Sequence, residues 1–102
     1  MPTVEDALTY MGIDYADDVI TANVTRCLAS AVGIVHGSVG EDVEEYLPDD
    51  PRIKELVLLY VDDLYTNRGL AYKQIGSQRR LIADMEWQLR LELRQAKEAA
   101  EA

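Results

Sequence analysis

Three pairs of adjacent acids are the first residues in this chain whose type and spacing could do chemistry: Asp17-Asp18, Asp49-Asp50 and Asp62-Asp63. Paired carboxylates can hold a divalent cation that activates water, as in nucleases. Adjacent side chains on a helix point about 100° apart, however, so no pair makes a chelate alone. Asp17-Asp18 and Asp49-Asp50 also stand where helix starts are expected, and capping accounts for them without a metal.

The other reactive groups are isolated. His36 is the only histidine and Cys27 the only cysteine, so the chain offers neither a zinc ligand set nor an intrachain disulfide. His36 follows an apolar run and reads as a structural or solvated side chain. Cys27 falls on an apolar helix face and reads as a small core residue. A single cysteine also suits a reducing, intracellular setting. Gly33, Gly37 and Gly40 fit no dinucleotide or Walker pattern. Arg79-Arg80 could touch phosphate, but two arginines beside an acidic body release few counterions and bind weakly. The sequence therefore predicts no catalytic residue, no metal, no cofactor and no enzyme.

The elements that would position these residues are helices. With 102 residues and 48% hydrophobic side chains, the chain reads as one all-α domain spanning 1–102, a small bundle of about four helices with one modest core. Thr3-Val4-Glu5-Asp6 reads as a capping box before a short helix ending near Met11, with Gly12 as its stop. An acidic stretch, residues 14–18, opens a second helix whose apolar face is Ile20, Val24, Cys27, Leu28, Ala31 and Val35, with Arg26 and Ser30 opposite. Gly33 inside that helix implies a close helix crossing, and Gly37 and Gly40 end the element. Residues 41–47 suit a single helical turn. Asp50-Pro51 is a strong helix start. Ile53, residues 56–61, Leu64 and Tyr65 then give a helix that is apolar nearly all round and belongs mid-core. Periodicity alone leaves a strand open for 56–61; Asp-Pro before the run and Asp62-Asp63 after it favour helix. A loop over 67–76 precedes a last helix over about 78–98, capped by Ser77, and the alanine-rich tail 95–102 is expected to fray.

That last helix carries the most information. Ile82, Met85, Leu89, Leu93 and Ala96 make one stripe, which serves the core. Trp87 and Leu91 lie one turn apart on the opposite side, flanked by Arg80, Asp84, Arg94 and Glu98. A core needs only one stripe, so this pair asks for a second partner: a neighbouring subunit, or the 67–76 loop folded back over Trp87. The expected interface residues are Arg79, Arg80, Trp87, Arg90, Leu91 and Arg94.

Charge points the same way. The net charge is −9; residues 1–66 hold 14 acids and 3 bases, and residues 67–102 hold 5 acids and 7 bases. An acidic body repels duplex DNA and anionic membranes. A basic end and an acidic body suit head-to-side contact between copies, although the same acidity also serves solubility alone. The N-terminus lacks a signal-peptide pattern, and the longest strictly apolar run, 56–61, falls far short of the ~20 residues of a bilayer span.

The order of these pieces resembles a known family. Ile13-Asp14-Tyr15-Ala16-Asp17-Asp18 is followed by a helix of small residues through Ala29-Ser30-Ala31. Val39-Gly40-Glu41-Asp42 and Leu47-Pro48-Asp49-Asp50-Pro51 come next. Leu56-Val57-Leu58-Leu59-Tyr60 then leads to Leu64-Tyr65-Thr66-Asn67-Arg68-Gly69, and an arginine-bearing helix runs from Arg79-Arg80-Leu81-Ile82 to Leu89-Arg90-Leu91-Glu92-Leu93. Over about residues 3–94 this is similar to the head–tail connector, or head-completion adaptor, family of tailed bacteriophages and prophages. No piece is a catalytic motif; the likeness lies in order and spacing, and residues 95–102 match no family element. The resemblance implies a small helical bundle whose copies form a ring, typically twelve-fold. The ring would sit below the portal protein in the virion, assembled in the host cytoplasm. It would extend the channel through which DNA passes without specific binding, and present a surface to the next neck or tail protein. It also implies that residues 68–76 and 77–98 serve assembly. The alternative is a small helical DNA-associated or packaging-related module, for which basic residues are confined to the last helix and interrupted by acids.

Overall fold

The computed structural model of the chain describes residues 1–66 and the helix from Gly76 to Glu101, its side chains from Arg80 onward. Among the described residues five helices follow in order: α1 (Val4–Tyr10), α2 (Asp18–Ser38), α3 (Val43–Tyr46), α4 (Pro51–Thr66) and α5 (Gly76–Glu101). No strand occurs among the described residues. The fold is all-α, and the single turn expected over 41–47 is α3.

The helix starts follow from short polar side chains. Thr3 Oγ1 accepts from the Asp6 N–H at 3.1 Å, and Asp6 returns a bond from the Thr3 N–H at 2.9 Å. That reciprocal box satisfies two orphan donors. Gly12, at φ +74°, ends the turn after α1 in the left-handed region. Asp17 Oδ1 accepts from the Ile20 N–H at 2.8 Å, and Asp50 Oδ1 accepts from the Arg52 N–H at 2.9 Å ahead of Pro51. Asp49 sits at φ +60°, a conformation aspartate tolerates better than most residues, and turns the chain into α4.

α2 and α4 form the centre, packing on each other more extensively than any other pair. Val24, Cys27, Ala31 and Val35 of α2 meet Ile53, Leu56, Val57, Leu58 and Val61 of α4 in one buried cluster. Residues 56–61 are thus helical. α1 adds Ala7, and α5 adds Ile82, Leu89 and Leu93. By length and composition α2 is apolar enough to cross a membrane. Its buried residues, Val24, Cys27, Ala31 and Val35, form the stripe that joins the core cluster with α4.

Three details correct the sequence reading. Gly33 marks no helix crossing: it is exposed, and a Cβ there, or at Gly37, would meet no atom within 4 Å. Pattern shows that a glycine interrupts a helix but not what faces it. Exposed interior glycines cost a helix about 1 kcal/mol each against alanine. Gly33→Ala is therefore expected to stabilise the monomer by up to about 1 kcal/mol, read as a higher melting temperature; a lower one would show a neighbour that α2 does not have here. Gly37 lies inside α2, which runs one residue further; only Gly40, at φ +153° and with Leu93 Cδ2 2.5 Å from where a Cβ would stand, marks a real turn. α5 begins at Gly76, so Ser77 lies within its first turn rather than ahead of it. α5 continues through residues 95–101, as far as Glu101. Of the loop expected over 67–76, residues 67–75 lie outside the described residues.

Candidate functional site

α5 runs antiparallel to α4. Arg52 near the start of α4 reaches Glu92, and Tyr60 two turns on donates to Glu86 at 3.2 Å. Arg52 is a clamp: its Nη2 lies 2.7 Å from Asp50 Oδ2 and 2.8 Å from Glu92 Oε1, joining the α4 cap to the middle of α5. Past that point Lys97 pairs with Asp42 at 2.7 Å and lies 5.9 Å from the centre of the Tyr46 ring, which joins α5 to α3. Arg90 Nη1 donates to the Ser38 carbonyl at 2.8 Å, tying α5 to the C-terminal end of α2.

With its inner stripe fixed this way, α5 turns the other side outward. Trp87 is 59% exposed and Leu91 40% exposed. Together with Arg90 and Arg94 they border a shallow surface depression of about 200 Å³, smaller than typical small-molecule sites. Arg80 is exposed and has no ion pair among the described residues. Arg94 makes an exposed pair with Glu98 at 3.4 Å. The side chain of Arg79 lies outside the described residues. The structure thus brings Trp87, Arg90, Leu91 and Arg94 to one outer face and gives Arg90 an additional task inside the molecule. No described residue covers Trp87; the 67–75 segment, which was the other candidate cover, lies outside the described residues.

Four of the six paired acids serve the fold. Asp17 and Asp50 cap α2 and α4, Asp49 makes a turn, and Asp62 accepts from the Thr66 hydroxyl at 3.0 Å. Among the described residues no three His, Cys, Asp or Glu side chains gather closely enough to hold a metal ion. His36 is joined to Glu44, linking α2 to α3, and Cys27 is buried in the core.

Electrostatics make the α5 attachment sensitive to acid. Hydrogen bonds from the Arg52 guanidinium hold Asp50 and Glu92 below the usual carboxylate range, and Lys97 does the same for Asp42. Carboxylates with lowered folded-state values add stability that is complete above their free values, 3.8 for Asp and 4.5 for Glu, and is lost as pH falls through the lowered ones. Below about pH 4, amide exchange in α5 is expected to accelerate relative to α2; equal acceleration of both helices would contradict this. At the other extreme, burial and then Glu86 push Tyr60 up to about 12.

The sequence reading passed over a second exposed apolar pair. Tyr15 is 80% and Val19 69% exposed, ahead of and just inside α2. The signal was present: Val19 falls opposite the Val24–Cys27–Ala31–Val35 stripe, as Trp87 falls opposite the α5 stripe.

Comparison of the chain with protein-family models, with curated proteins and with solved structures gives no match in any of the three.

Proposed function

We propose that this chain is a structural assembly protein whose copies join through the outer face of α5 into a ring, of the kind that connects a phage portal to its tail. The observation that carries the reading is the Trp87–Leu91 ridge. Singly exposed hydrophobics are ordinary. A tryptophan and a leucine one turn apart, set among guanidinium groups and backed by the buried Ile82, Leu89 and Leu93, have the composition of an interface centre. The resemblance in element order supports the same reading and supplies its partners: a homo-oligomer, twelve-fold in that family, a portal above and a neck or tail protein below. An acidic body suits a conduit, since duplex DNA has to slide past without being gripped. The reading gives the chain no catalytic step, cofactor or metal, and places it at the head–tail junction of a virion.

Light scattering on the purified protein across a concentration series, at low and high salt, tests it. A large oligomer that grows with concentration and weakens at high salt is expected. Small mass at every concentration, together with retardation of duplex DNA at physiological salt, would favour the DNA-associated module instead.

A further inference from the structure

We propose that a second copy of this chain seats its Trp87–Leu91 ridge on the Tyr15–Val19 patch of the first, so that every copy donates at one end and accepts at the other. This rests on the ring reading above and supplies its receiving surface. Tyr15 and Val19 are the two most exposed large apolar side chains among the described residues. Three exposed acids, Asp14, Asp17 and Asp18, are their near neighbours in the chain. Asp17 Oδ1 is occupied by the Ile20 N–H, while Asp14 and Asp18 have no hydrogen bond or ion pair among the described residues. The ridge carries the opposite sign: Arg80, Arg90 and Arg94 against Asp84 and Glu98. Apolar centre meets apolar centre, and an acidic rim meets a basic one.

The two patches lie at opposite ends of α2, so one copy cannot seat its own ridge on its own patch. Arg90 binds the Ser38 carbonyl, so the ridge lies beside the C-terminal end of α2. Val19 lies at the N-terminal end, about 28 Å away at 1.5 Å per residue, in a molecule 49 Å long. Pairing patch with patch would oppose Asp14, Asp17 and Asp18 with the same three acids, while the ridge, with three arginines to two acids, keeps an excess of positive charge for an acidic partner. The head-to-tail contact joins a net-basic ridge to a patch bordered by acids alone, and such a contact closes into a ring when its rotation fits.

Two variants test this, each first checked by circular dichroism for a native fold. The donor-deficient variant is Trp87→Ala/Leu91→Ala and the acceptor-deficient one is Tyr15→Ser/Val19→Ser. Sedimentation is expected to show each alone associating at least about tenfold more weakly than the parent. Mixed in equal amounts, they are expected to form a heterodimer and nothing larger, because one intact junction is available per pair. An acceptor-deficient variant that assembles like the parent would overturn the inference and leave the ring reading standing. So would two assembly-deficient variants that form no heterodimer on mixing. A parent protein that stays monomeric from micromolar to millimolar concentration would overturn both.

Discussion

Trp87→Ala is expected to raise the dissociation constant of the assembled protein by roughly thirtyfold or more, with little change in the melting temperature of the monomer. A tryptophan side chain presents about 150–250 Å², and 59% of Trp87 faces solvent. Covering that remainder in a contact, at about 25 cal/mol per Å², is worth on the order of 2–4 kcal/mol, the range of an interface anchor. Within the monomer the ring loses few neighbours on truncation, because it points away from the Ile82–Leu89–Leu93 stripe. The check is a pair of measurements on one sample: sedimentation for assembly and thermal denaturation at low concentration for the monomer. Intact assembly with a lowered melting temperature would mean that the indole is held by its own chain.

Leu89→Ala is expected to act in the opposite way, lowering monomer stability by roughly 2–5 kcal/mol. Leu89 is fully buried, and with Ile82 and Leu93 it forms the inner stripe that α5 lays on the rest of the bundle. Truncating it removes transfer free energy and leaves a cavity that the surrounding side chains only partly fill. Against a total of about 5–15 kcal/mol for a small domain, that loss loosens α5, so assembly should fail as well, although Leu89 touches no neighbouring copy. Leu91→Ala, two residues along and 40% exposed, should weaken assembly and spare the urea midpoint. Equal midpoints for Leu89→Ala and the parent would contradict the placement of α5.

Periodicity and capping made most of this architecture legible. Thr3, Asp17 and Asp50 announced their helices because an N-cap is a local device, satisfied within three residues. The stripes of α2 and α5 were readable because burial on one side of a helix repeats every three or four residues. The same regularity made Trp87 and Leu91 visible as residues the core did not need. What pattern missed depends on partners far apart in sequence. Glu92 meets Arg52 forty residues away, and nothing local to residues 95–102 announces the bond from Lys97 to Asp42 that joins this end of α5 to α3. Gly33 invited a crossing that does not exist, because sequence reports a missing side chain and not the space beside it. Tyr15 was hidden by its place just ahead of α2, outside any periodic run.

Electron microscopy of the protein, concentrated at low salt, tests the central claim most directly. Closed rings of uniform size with an open channel are expected, and none from Trp87→Ala under the same conditions. Open filaments, compact particles without a channel, or rings that persist when Trp87 is removed would contradict an assembly built on the outer face of α5.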